Sequence, residues 1–125
     1  MGDTGQIVTD KGVFVVHDTR KKQGLILHMG EVTEGSFAGG DSVQTSIDQD
    51  RRDSVTGHHS ATHLLNAGLR KILGSHILQT GSLVSADYLR FDFSHGEKIP
   101  ADKLREIELH VNQSIAQKAD VTAKL

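Results

Sequence analysis

Cysteine is absent from this 125-residue chain. Disulfides and thiolate metal ligands are therefore excluded from anything the chain does by itself. Tryptophan is also absent, and the aromatics amount to four Phe and one Tyr. Any core has to be assembled mainly from Val, Ile, Leu and Ala. There is one proline, so the 13 glycines supply most of the punctuation. Neither sign of charge dominates: 14 Lys and Arg against 16 Asp and Glu leave a net charge of −2. Without a global basic bias, any contact with nucleic acid has to be local. No apolar run approaches the roughly 20 residues of a membrane-spanning helix. No charged-then-apolar leader opens the chain. The reading is accordingly a cytoplasmic protein with no membrane partner. Hydrophobic and charged fractions of 36% and 24% belong to a globular chain rather than a disordered one. The length allows one ordinary domain or two small ones around a modest core.

Residues 1–49 have the marks of β-structure. Val13-Phe14-Val15-Val16 is an apolar run, and Leu25-Ile26-Leu27 follows the turn-like "RKKQG". Val43, Thr45 and Ile47 alternate with Ser42, Gln44, Ser46 and Asp48, the period of a half-buried strand. "SFAGGD" at 36–41 is a turn signal. Short strands joined by such turns point to part of a small β-barrel or to a meander. The basic runs "RKK" at 20–22 and "RR" at 51–52 read as solvated surface charge.

Near residue 50 the pattern changes. Ala61, Leu64, Leu65, Leu69, Ile72 and Leu73 recur at three- and four-residue steps, which predicts a helix with one apolar face. Asp50 or Asp53 is placed to cap its start. Gly57 marks a candidate kink, and Gly74 suits its end. Two strands follow, 77–84 and 88–93, where Leu89, Phe91 and Phe93 alternate with Arg90, Asp92 and Ser94. Pro100 opens a second helix, with Leu104, Ile107, Val111 and Ile115 as its buried stripe. "ADVTAKL" at 119–125 suggests a further strand. The class is α/β in the α+β sense, with a break at 49/50.

"HHSATHLL" at 58–65 carries the chemistry. On a helix His59 and His63 lie on one face, with Cβ atoms about 5–6 Å apart. Two imidazoles so placed can hold one zinc ion, at roughly 2.0–2.1 Å per nitrogen. A zinc protease would put Glu after the first His. Here Ser60 stands there, so that general base is missing. Two histidines are half of a tetrahedral shell, and in a chain with eight histidines the spacing can also arise by chance. His58, about 100° away on the helix, reads as solvent-facing. His17, His28, His76 and His95 have no partner that spacing reveals. "QTGSL" at 79–83 reads, by itself, as a turn between strands.

These segments together resemble the alanyl-tRNA synthetase family in its editing region. His59 to His63 match its His-Ser/Thr-Ala-Thr-His motif, Gln79 to Val84 its Gln-x-Gly-Ser-Leu-Val segment, and Leu89 to Ser94 its Leu-Arg-Phe-Asp-Phe-Ser segment. Residues 10–43 resemble the β-barrel before the editing core, and "GDTG" at 2–5 the end of a glycine-rich segment. Free-standing editing proteins share the histidine motif, as does, more distantly, the threonyl-tRNA synthetase editing domain. The resemblance implies barrel structure over 1–49 and the N-terminal part of a zinc-dependent editing core over 50–125.

It further implies hydrolysis of tRNA-Ala mischarged with serine or glycine. His59 and His63 would be two of four zinc ligands. Thr62, Gln79, Gly81 and Ser82 would line the catalytic pocket. Thr62 has an alternative, a hydrogen bond back to its own helix. Arg90 is a candidate for RNA phosphate, with surface charge as the alternative. The family completes its zinc site with a downstream Cys-x-x-x-His and binds ATP in a separate activation domain. Neither feature occurs here, so the expectation is a piece of a larger enzyme, inactive alone and inclined to self-associate through exposed apolar surface. The competing readings are a free-standing trans-editing deacylase and a non-catalytic RNA- or metal-binding module. Metal content and tRNA binding would discriminate them.

Overall fold

The computed structural model describes residues 2–119. The chain divides into two compact units, residues 1–55 and 56–125.

The first unit is an antiparallel sheet of four strands: β1 (Gly5–Val8), β2 (Gly12–Lys22), β3 (Leu25–Gly35) and β4 (Gln44–Ile47). Their spatial order is β3-β2-β1-β4. β2 and β3 meet in a two-residue turn in which Gln23 and Gly24 have φ of 50° and 83°. Successive positive φ values give the mirror-type turn whose twist matches the strands it joins. Val16 is the buried apolar residue of this sheet, at 5% exposure. Phe14 meets Phe37 edge to face, with ring centres 6.2 Å apart.

β1 went unpredicted although it lies between β2 and β4. Four residues, "GQIV", are too short to display a period. Leu25 and Ile26 do form strand, but at the sheet's edge, where they are 66% and 63% exposed. Among the described residues the sheet is open, with β3 and β4 as its two edges. Read from the other edge, the order β4-β1-β2-β3 has the fourth strand returning to lie beside the first, which is a Greek key; no closed barrel forms among the described residues.

The first helix, α1, runs Gln49–Leu73. Its cap is neither Asp50 nor Asp53. Asp48 Oδ1 accepts from the Arg51 backbone N–H at 3.0 Å, the contact of an N-cap residue with its third helical position. Asp48 looked like the polar end of the β4 alternation, which concealed this role. The "RR" doublet is tied down within the same unit. Arg51 Nη1 donates to the Gly2 carbonyl at 3.0 Å, and Arg52 Nε donates to Asp3 Oδ1 at 2.8 Å.

In the second unit α1 ends at Gly74, whose φ is +122°. Then come β5 (Gln79–Val84), β6 (Leu89–Phe93) and α2 (Ala101–Ala116). β5 and β6 pair antiparallel, with an irregularity between Gln79 and Gly81. "QTGSL" is thus strand rather than turn. Its glycine sits at the bulge, where an interior strand glycine is at home. Leu69, Ile77 and Ile107 form the core, with Leu65, Ile72, Phe91, Phe93 and Val111 packed against it. The helices approach closely at Gly68, where a Cβ would lie 3.3 Å from the His110 ring and 3.6 Å from Val111.

The stripe expected on α2 is buried only in its middle. Ile107 is 4% exposed, whereas Leu104 and Ile115 are 51% and 52% exposed. The reason is a short partner: one helix and a two-stranded hairpin cannot cover four turns of α2. The strand suggested for 119–125 falls almost wholly outside the described residues.

Candidate functional site

The helix delivers the geometry that the spacing called for. His59 and His63 turn their Nε2 atoms toward each other, 3.2 Å apart. Their ring centres are 5.0 Å apart. Two bare lone pairs cannot face each other so closely. Either a proton or a cation has to lie between them. With each nitrogen at roughly 2.0–2.1 Å from one zinc, a 3.2 Å separation closes an angle of about 100° at the metal, near the tetrahedral value. The donor set therefore fits two neighbouring corners of a zinc site. Among the described residues no third His, Cys, Asp or Glu joins the pair.

Thr62 lies between them in sequence but faces inward, at 7% exposure. Its hydroxyl donates to the His58 carbonyl at 2.8 Å, the alternative open to a mid-helix threonine. The hydroxyl oxygen keeps lone pairs to accept with.

His58 corrects the expectation of a solvent-facing residue. It is half-buried, and its Nδ1 donates to the Ser85 carbonyl at 2.8 Å. That bond places the ring proton on Nδ1 and leaves Nε2 as the acceptor. Ser85 is itself held by the turn it opens. Its hydroxyl donates to the Tyr88 carbonyl at 2.9 Å and accepts from the Tyr88 N–H at 3.1 Å. Sequence spacing had no means of finding this, because the partner is 27 residues away and is a backbone atom.

A groove of about 740 Å³ runs along α1 beside the end of α2, with Gly57, His58, Ala61, His63, Leu64 and Ile115 in its walls. It is mostly apolar, with the two imidazoles as its titratable groups on α1. Gln79, Gly81 and Ser82 stand together on β5, but none of them lines this groove. Gln79 and Ser82 are exposed. Gly81 is cleared for a specific neighbour: a Cβ there would come within 2.9 Å of Asp92 Oδ2. Asp92 also accepts from Arg90 Nε at 3.2 Å, so the guanidinium considered for RNA phosphate has a carboxylate beside it. Asn66, one turn beyond Thr62 and His63, has a buried Oδ1 without a partner, a feature no sequence pattern marked.

The histidines left without a role also find neighbours. His17 meets Glu31 at 3.4 Å and His28 meets Thr19 at 3.5 Å, both across β2 and β3. His76 and His95, 19 residues apart, approach to 3.1 Å between ring nitrogens.

No family model matches the chain. Along its whole length, however, the sequence is homologous to a segment of an aminoacyl-tRNA synthetase. The relative is the alanine–tRNA ligase of Leptospira biflexa serovar Patoc (strain Patoc 1 / Ames), 44% identical over 125 residues. At that identity the chain matches an alanyl-tRNA synthetase segment, as the three motifs implied. It spans 14% of that relative's length. Among the described residues no helix is long and apolar enough to cross a membrane.

Proposed function

We propose that this chain carries part of an editing centre that hydrolyses the ester linking a wrong amino acid, serine or glycine, to tRNA-Ala. The observation that supports this most is the convergence of the His59 and His63 Nε2 atoms at 3.2 Å, on a chain homologous to alanine–tRNA ligase. The two histidines would hold a zinc ion, and the remaining ligands would come from outside the described residues. When bound, zinc supplies Lewis-acid polarisation and an anchor for the substrate. On this reading ATP would serve the parent enzyme outside this segment.

The need for such a centre follows from binding energies. A synthetic pocket separates amino acids differing by one small group by only ~1–3 kcal/mol, so a second, hydrolytic site has to correct the product. Preference for serine requires polar atoms aimed at its hydroxyl. Thr62 Oγ1 donates its hydrogen bond to the His58 carbonyl and keeps lone pairs with which it would accept from that hydroxyl. The Gln79 amide can both donate and accept. Ser82 adds a hydroxyl on the same strand. Gly81 keeps the backbone open between them.

The test uses a full-length synthetase carrying this segment, with His59→Ala, His63→Ala, Thr62→Val and Gln79→Ala made singly. Deacylation of Ser-tRNA-Ala should fall while alanine charging stays near the parent's rate. Normal deacylation in all four variants would remove these residues from the site.

A further inference from the structure

The base of the β5–β6 hairpin holds a second imidazole pair. His76 Nε2 and His95 Nδ1 are 3.1 Å apart, with ring centres at 5.3 Å and planes inclined by only 25°. Near-parallel planes with nitrogens that close belong to rings meeting edge to edge, each aiming a nitrogen at the other. As with His59 and His63, a proton or a cation has to lie between two facing nitrogens.

The backbone on both sides is pinned. Next to His76, Ile77 is fully buried, and its N–H donates to the Gly74 carbonyl at 3.3 Å. Next to His95, Ser94 donates its N–H to the Leu78 carbonyl at 2.9 Å. The Ser94 hydroxyl accepts from the Leu78 N–H at 3.2 Å and donates to the His76 carbonyl at 3.4 Å. The His76 ring lies against Gly74, where a Cβ would come within 2.9 Å of Nδ1. Phe93, part of the core, has its ring centre 6.5 Å from that of His95. Strand pairing thus sets the backbone on both sides of the pair, while the His76 ring is exposed and the His95 ring half-buried, open to an ion from solvent.

We propose that His76 and His95 form a second site for a borderline divalent transition ion of the zinc, nickel and copper class, a class that imidazole suits. At roughly 2.0–2.1 Å per nitrogen the 3.1 Å separation closes an angle of about 100° at the ion, a normal angle between neighbouring ligands. Water completes the shell. The ion cross-links the entry of β5 to the exit of β6, the hairpin on which Gln79 and Ser82 stand. This site is independent of the editing reading, because it uses neither His59 nor His63.

The experiment uses Ni²⁺ as probe on the whole 125-residue chain carrying His59→Ala and His63→Ala. Equilibrium dialysis should show one Ni²⁺ retained per chain. Adding His76→Ala or His95→Ala should weaken binding about tenfold or more, since loss of outer-shell partners alone costs 10–100-fold. Unchanged affinity in both variants overturns the proposal. A second measurement needs no further variant. Substoichiometric Cu²⁺ added to the same His59→Ala, His63→Ala chain should broaden the ring C–H resonances of His76 and His95 together, ahead of those of His17, His28 and His110. Parallel broadening of all these histidines would show only unspecific surface binding and would also overturn it.

Discussion

Ile77 shows how much a single residue can decide. It is fully buried, with Leu69 and Ile107 as its core partners. Ile77→Ala should cost about 2–5 kcal/mol, and Ile77→Val about 0.5–1.5 kcal/mol, read as a shift in urea midpoint. A loss below that for Ile77→Ala would mean that the hairpin collapses into the space. The sequence displayed Ile77 as one apolar residue among several. Leu78 beside it is 61% exposed, and only the packing distinguishes them. The Asp3–Arg52 pair belongs to the same scale. The hydrogen bond from Arg52, with its charge adding, holds the Asp3 carboxyl below its ordinary value of 3.8. Its contribution is fully present above that value and is lost as the pH falls through the lower, folded-state value. Asp3→Asn should therefore lower the urea midpoint at about pH 5 and make less difference at about pH 3. The effect is small because both side chains are solvent-screened. An equal difference at both pH values would show that the ion pair contributes nothing. No local pattern linked residues 49 positions apart.

At the scale of elements, the two glycines inside α1 separate propensity from packing. Nothing lies within 4 Å of where a Cβ would stand on Gly57, whereas Gly68 faces His110, Val111 and Ile107. Gly57→Ala should raise stability by about 0.5–1 kcal/mol, the ordinary gain in a helix interior. Gly68→Ala gains the same propensity but has to push the His110 ring away, so its stability should lie roughly 1–2 kcal/mol below that of Gly57→Ala. Equal midpoints in denaturant would show that α2 yields freely at this contact. Element types were legible wherever a period had room to repeat. α1 spans 25 residues with apolar residues at helical steps, and β6 alternates strictly. Legibility failed where the signal is tertiary. β1 is strand because it is paired on both sides, and "QTGSL" is strand because β6 lies beside it. Asp48 became the cap because the helix begins at Gln49, well ahead of Ala61, where the apolar pattern starts, so the pattern could not fix the first turn.

For the whole molecule, the donor set limits what the chain does by itself. His59 and His63 supply two imidazoles, there is no thiolate, and no third ligand joins them among the described residues. The 125-residue chain should lose most of its zinc on dialysis and should leave Ser-tRNA-Ala intact. One tightly retained zinc with rapid hydrolysis would contradict this. It would place further ligands within the chain. Sequence by itself determined the α+β class, the helix that carries the histidines and, through three ordered motifs, the kinship with alanyl-tRNA synthetase. These depend on local periodicity and on residue identity, both of which are written along the chain. Tertiary structure alone decided the Greek-key order of the open sheet, the exposed ends of the α2 stripe, the Ser85 tether of His58 and the meeting of His76 with His95. Each of these depends on which distant backbone a residue meets, and strand pairing settles that only once the apolar faces have found one another.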